Sequence, residues 1–183
     1  IKSNDTVIDV GAHIGLFTMY AAQTCKNGNI YSYEPVKENF EMLKANMTMN
    51  NLQDVKIFNS AVSNSDSTIT LFMNNDESGH SMFSESSENI IVNSTSLMKI
   101  FDDNNIKKCD FLKLDCEGAE YEIIEKLPSK YFEIIEKIVI EYHMFDLHPE
   151  LLEKLKNKLL KNNFKFETKM LFSDIGFLYA VKD

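Results

Sequence analysis

The sequence contains no arginine and no tryptophan. Its 19 cationic residues are all lysines, set against 28 acids, and the net charge is −9. Guanidinium forks are the favoured way to grip phosphate and carboxylate in two-point fashion. An acidic chain without them is poorly suited to nucleic acid, although backbone amides can still hold a small cofactor. Cysteine is scarce too: Cys25, Cys109 and Cys116, an odd number with no C-x-x-C spacing. That argues against a disulfide framework or a zinc site, and predicts reduced, buried thiols in a cytoplasmic protein. No apolar run is long enough to span a bilayer, and no secretory signal is visible. The chain opens at Ile1 without an initiator methionine, so a preceding segment is expected. Its 183 residues suit one domain with a sizeable core.

What is present is an alternation of short apolar runs and amphipathic stretches. Val7 to Val10 reads as a buried strand, Leu16 to Thr24 as a helix, and Asn29 to Tyr33 as a second strand. Val36 to Met49 is an amphipathic helix with Phe40, Leu43 and Met47 on one face, and Val55 to Asn59 is a third strand. A polar region from Ser63 to Ser96 interrupts the pattern. Within it, Thr68 to Met73 and Ile90 to Asn93 read as strands and Asn74 to Asn89 as a loop. Long polar loops in compact domains are often functional, and this one, with Gly79, Met82 and Phe83, is a candidate substrate cover. Leu97 to Asp103 is then a helix, Phe111 to Leu114 a strand, Ala119 to Leu127 a helix, Lys137 to Tyr142 a strand, and Pro149 to Lys161 a helix. Phe164 to Leu171 and Gly176 to Val181 form a closing hairpin. The alternation implies a doubly wound α/β fold, with a mostly parallel sheet and one antiparallel strand near its end.

In such a fold, ligands sit beyond the carboxyl ends of the strands. Asp9, Glu34, Asp115, Glu117, Glu141 and His143 all fall there. One strand-end acid is usually a helix cap or a solvated residue; the whole set points to a site. The first strand runs into Gly11-Ala12-His13-Ile14-Gly15, a G-x-x-x-G loop rather than the dinucleotide G-x-G-x-x-G. His13 leaves less room for a pyrophosphate, and Asp9 would repel one while suiting a cation. Glu34 lies 19 residues beyond Gly15, where an acid can accept both ribose hydroxyls. The implied ligand is a nucleoside with a positively charged tail, and S-adenosylmethionine fits; NAD is the alternative.

Together, VIDVGAHIGLFT, YSYEPVKENFEMLKAN, NSAVS, FLKLDCEGAEYEIIE and IVIEYH resemble the FkbM-type family of class I S-adenosylmethionine-dependent methyltransferases. The most specific element is K-x-D-x-E-G-A-E, from Lys113 to Glu120. The resemblance implies a Rossmann-like, seven-stranded sheet with its last strand reversed, here with a small β insertion between strands 3 and 4. It also implies methyl transfer to a hydroxyl of a sugar or other small molecule. On these motifs the cofactor contacts are expected at Asp9, Gly11, Ala12, His13, Gly15, Glu34, Pro35, Ser60, Ala61 and Asp115.

Methyl transfer asks the protein to hold an acceptor oxygen in line and to help remove its proton. Asp115, Glu117 and His143 are candidate bases. Lys113 shares a strand face with Asp115 and, being costly inside a strand unless paired, is expected to pair with Glu141 or Glu117. Two alternatives stand beside this reading. One is a divalent-metal-assisted O-methyltransferase using Asp115, Glu141 and His143. The other is a binding module that keeps the fold and has lost the chemistry.

Overall fold

The computed structural model describes residues 1–73, 80–81 and 88–183. In its first strand, β1 (Thr6–Val10), the side chains of Val7, Ile8 and Val10 are all buried. A run buried on both faces is what a central parallel strand covered by helices requires. Helix α1 (Leu16–Thr24), β2 (Asn29–Tyr33), α2 (Lys37–Met49) and β3 (Lys56–Phe58) complete the first half. The chain then builds a smaller sheet from β4 (Ala61–Ser63), β5 (Thr68–Met73), β6 (His80–Ser81) and β7 (Glu88–Ser96). Helix α3 (Leu97–Asp103) returns it to β8 (Phe111–Leu114). Helices α4 (Glu120–Lys126) and α5 (Ser129–Phe132) lead to β9 (Lys137–Tyr142), and α6 (Pro149–Lys161) leads to the hairpin of β10 (Phe164–Met170) and β11 (Gly176–Lys182).

The main sheet has seven strands in the order β10-β11-β9-β8-β1-β2-β3. Strand β11 runs antiparallel to both its neighbours, and the remaining pairs are parallel. This is the doubly wound architecture expected, with the last strand reversed. The small insertion is a four-stranded sheet in the order β4-β7-β5-β6. The structure differs from the sequence reading at several points, among them β6, which falls in the stretch read as loop. Ala61–Ser63 is a strand, paired in parallel with Ser94–Ser96. Strand β7 begins at Glu88, inside the stretch read as loop, because it pairs along the whole of β5. A one-turn helix, α5, follows Pro128, which ends α4 and caps the next turn. Of the expected cover loop, Gly79, Met82 and Phe83 lie outside the described residues.

Helix α6 shows how the outer layer attaches. Pro149 starts it, and Leu152, Leu155 and Leu159 are buried in one stripe against α4 and β10. Each such leucine contributes roughly 1.5–3 kcal/mol relative to exposure. Among the described residues, no helix is long and apolar enough to cross a membrane. Strand β1 lies between β2 and β8, and the chain leaves it in opposite directions. A crevice therefore opens beyond its carboxyl end, which is where the site lies.

Candidate active site

The crevice is a cavity of about 260 Å³ with two unlike ends. One end is Glu34 beside an apolar wall that includes Val36, Val62, Ile69 and Leu71. The other end is acidic: Asp115, Glu117 and Glu141. Ile69 and Leu71 come from β5, so the small sheet supplies part of the wall.

Glu34 follows β2 and is nearly fully buried. Its Oε2 accepts the His13 amide at 2.8 Å and its Oε1 accepts the Val36 amide at 2.9 Å. Burial pushes its carboxyl up, and those two amides oppose the shift. A carboxylate offers about four lone-pair sites, and with the Asn39 side chain also bonding Glu34 there is still room for a ligand hydroxyl. The same amide bonds fix the loop after β1, helped by Gly11 and Ala12, whose N–H groups both donate to the Tyr33 carbonyl at 3.0 Å.

The glycines serve the chain's own packing more directly than a ligand. Gly11 has φ +75°, and a Cβ there would lie 1.7 Å from the Asp115 carbonyl oxygen. Gly15 has φ +90°, and a Cβ there would meet Leu43 at 2.5 Å. Of the expected cofactor contacts, Gly11, His13, Glu34, Pro35, Ala61 and Asp115 line the cavity. Asp9, Ala12, Gly15 and Ser60 do not. Ala12 packs under α2 with Leu43 and Met47, and the Ser60 hydroxyl donates to the carbonyls of Ala61 and Asn93.

Asp9 is fully buried beneath the loop rather than facing a ligand. Its Oδ2 accepts the Thr18 hydroxyl at 2.6 Å, and that hydroxyl is 2.9 Å from Ser32. Its Oδ1 lies 3.3 Å from the Lys113 ammonium, an ion-pair contact without hydrogen-bond alignment. The same ammonium donates to Asp115 Oδ2 and to the Gly11 carbonyl, both at 3.1 Å. Lys113 thus pairs with Asp9 and Asp115, and the expected pairing with Glu141 or Glu117 is corrected. The reason is register: β1 and β8 place Asp9 directly beside Lys113. Burial would lower the Lys113 pKa, but the Asp9 and Asp115 charges outweigh it and raise it.

At the acidic end, His143 follows β9 and is almost fully buried. Its Nε2 is 3.6 Å from Glu117 Oε2 and 3.9 Å from Glu141 Oε1, and its Nδ1 is 3.2 Å from Glu120 Oε1. Burial pulls its pKa down; the Glu120 bond and charge, with Glu117 and Asp115, push it further up, to about 9. Glu117 is raised to about 7, first by burial and then by Asp115, Glu120 and Glu141, with His143 opposing. Glu141 is raised by burial and by Asp115. Glu117 sits at φ +52°, which swings its carboxylate toward His143. Among the described residues, the groups close enough to share a cation are Asp115, Glu117 and His143, with ligand atoms within 4.8 Å of one another. This corrects the expected set, in which Glu141 stood in place of Glu117.

Two functional features escaped the sequence reading. The wall residues Ile69 and Leu71 lie in Thr68–Met73, read from sequence as a strand of the polar region but not as part of the site. Glu120, fully buried against His143, sat inside the quoted motif without being singled out. The usable signal was an acid opening the apolar face of α4, next to Tyr121, Ile123 and Ile124.

An acid set for hydroxyls, an apolar wall for a flat base and an acidic far end for a cation fit a nucleoside with a cationic tail. The comparisons with known proteins agree. The chain matches the Methyltransferase FkbM domain over residues 9–166. It is 23% identical over 164 residues to "Methyltransferase 1" of Beauveria bassiana, an alignment that covers 74% of this chain and 63% of that protein. The fold resembles the crystal structure of methyltransferase FkbM from Methylobacillus flagellatus, with a TM-score of 0.66 and 16% identity, over 98% of this chain and 44% of that one. It also resembles Aeropyrum pernix fibrillarin in complex with natively bound S-adenosyl-L-methionine, with a TM-score of 0.61 and 11% identity, over 98% of this chain and 67% of that one. The chain therefore spans under two thirds of the fungal relative and under half of the bacterial one.

Proposed function

This chain belongs to the family of FkbM-domain methyltransferases, and we propose that it transfers a methyl group from S-adenosylmethionine to a hydroxyl of a sugar or other small molecule. The cofactor, when bound, supplies an electrophilic methyl group carried on a sulfonium. Glu34 accepts the ribose hydroxyls, and the Val36, Val62, Ile69 and Leu71 wall takes the adenine. Asp115 and Glu141 favour the positive tail.

The chain's remaining task is to hold an alcohol and accept its proton. An alcohol is a weak nucleophile until that proton begins to leave, and a base with a pKa near the working pH is most effective. Glu117, held at about 7, meets that condition. Its carboxylate takes the hydroxyl proton, and the neighbouring His143, cationic up to about pH 9, stabilises the charged form of the pair. The observation that carries the reading is this pair, whose Glu117 lines the same cavity as Glu34 while His143 backs it at 3.6 Å.

The charge of the site narrows the acceptor. Lys113 is already matched by Asp9 and Asp115, and His143 by Glu120 and Glu117. No unmatched lysine among the described residues lines the cleft to take a phosphate or carboxylate, so neutral or cationic acceptors are favoured over anionic ones and over nucleic acid. The three free cysteines accord with a reducing cytoplasm. The test is transfer of labelled methyl to a neutral hexoside, an amino hexoside and the matching uronate. Methylated neutral or amino sugar is the expected product; methylation of the uronate alone would overturn the acceptor assignment.

A further inference from the structure

We infer that Glu120 is a positioning residue, which holds the His143 imidazole with Nδ1 turned inward and Nε2 presented to Glu117. The inference rests on the reading above, in which Glu117 and His143 form the acceptor end. Glu120 is fully buried. A carboxylate in such a place is costly unless its lone pairs are filled. Three donors fill them. Its Oε2 accepts the Gly118 amide at 2.9 Å, while its Oε1 accepts the His143 amide at 3.0 Å and faces His143 Nδ1 at 3.2 Å.

A helix-opening acid that served only its own helix would bond the first-turn amides of that helix. Glu120 instead reaches back to the turn after β8 and across to the turn after β9. It thereby ties the segment carrying Glu117 to the segment carrying His143. Each segment includes a non-glycine residue in the left-handed region, Glu117 at φ +52° and Met144 at φ +55°. Such conformations persist where surrounding bonds over-determine them. Tyr121, next to Glu120, donates its hydroxyl to the His143 carbonyl at 2.7 Å and fixes the backbone from the same helix.

The ring orientation follows from chemistry. A carboxylate oxygen can only accept here, so Nδ1 carries the proton and the ring cannot turn over. Nε2 is then left facing Glu117 and Glu141, with Asp115 close by. This is the arrangement by which a buried acid orients a histidine whose other nitrogen works.

The test reads the ring directly and needs no acceptor. Nitrogen-15 histidine NMR is recorded on the wild type, Glu120→Gln and Glu120→Ala, with His143→Gln to assign the signals, and S-adenosylhomocysteine binding is the control for an intact site. The wild type is expected to show a downfield, slowly exchanging His143 Nδ1 proton. Glu120→Ala loses it. Glu120→Gln keeps an acceptor oxygen and so keeps the proton, shifted upfield because a neutral acceptor makes a weaker bond. An Nδ1 signal unchanged in Glu120→Gln, or absent from the wild type, would overturn the inference. If the alanine variant fails to fold, the glutamine variant decides. If the wild type binds no S-adenosylhomocysteine yet His143 responds as stated, the cofactor reading fails and the positioning role stands.

Discussion

Replacing Lys113 with methionine keeps most of its volume and removes its charge. Two acids then lose their partner. Asp115 is partly exposed and can turn to water, but Asp9 is fully buried and its Oδ1 has no hydrogen-bond partner. Among the described residues, the ammonium 3.3 Å away is the charge that balances it. Breaking a buried ion pair by deleting one member costs about 3–5 kcal/mol, because an uncompensated charge remains. For a domain of this size, each kcal/mol moves Tm by roughly 2–4 °C, so a fall of roughly 6–20 °C is expected. Thermal unfolding followed by circular dichroism measures it. The double variant Asp9→Asn/Lys113→Met removes the stranded charge and should recover much of the loss, a coupling that a double-mutant cycle isolates. A single variant melting within about 2 °C of wild type, or a double variant no more stable than the single, would refute the reasoning.

Three further outcomes follow from the same site. Activity should rise as pH passes about 7, where Glu117 gains its basic form, and fall above about 9, where His143 loses its charge; a flat profile across that range would remove both groups from the mechanism. Glu117→Gln should lower kcat by about 10²–10⁴-fold, the usual contribution of a general base, while S-adenosylhomocysteine affinity stays near wild type; loss of cofactor affinity instead would assign Glu117 to binding. Treatment with EDTA should leave turnover unchanged; loss restored by Mg²⁺ would move the proton-loosening role to a cation held by Asp115, Glu117 and His143.

The parts of this protein that were legible in sequence are those set by local pattern. Strands β1, β8 and β9 are apolar runs that end in acids, and the leucine spacing after Pro149 marks α6. Their order gave the doubly wound sheet, and the strand ends gave the crevice. What escaped depends on residues far apart in the chain. Lys113 meets Asp9 only through the register of β8 on β1. Glu120 meets His143 across 23 residues. In the turn at Glu117-Gly118 the left-handed region extends to the non-glycine Glu117, which sequence does not announce, and it is Glu117 rather than Glu141 that joins Asp115 and His143. The small sheet was partly hidden for another reason: Ala61–Ser63 and Ser94–Ser96 are short and serine-rich, with no alternation to read.

The central claim is that the crevice holds a sulfonium nucleoside through Glu34. Calorimetric titration of the wild type and Glu34→Ala with S-adenosylmethionine, S-adenosylhomocysteine and NAD tests it most directly. Two charge-assisted bonds to ribose hydroxyls, at about 1.5 kcal/mol each, amount to about 3 kcal/mol, or roughly 100-fold in Kd. The account predicts micromolar binding of the first two ligands, weakened about 100-fold in the variant, and no binding of NAD. Binding of NAD, or equal affinity of wild type and variant for S-adenosylmethionine, would contradict it.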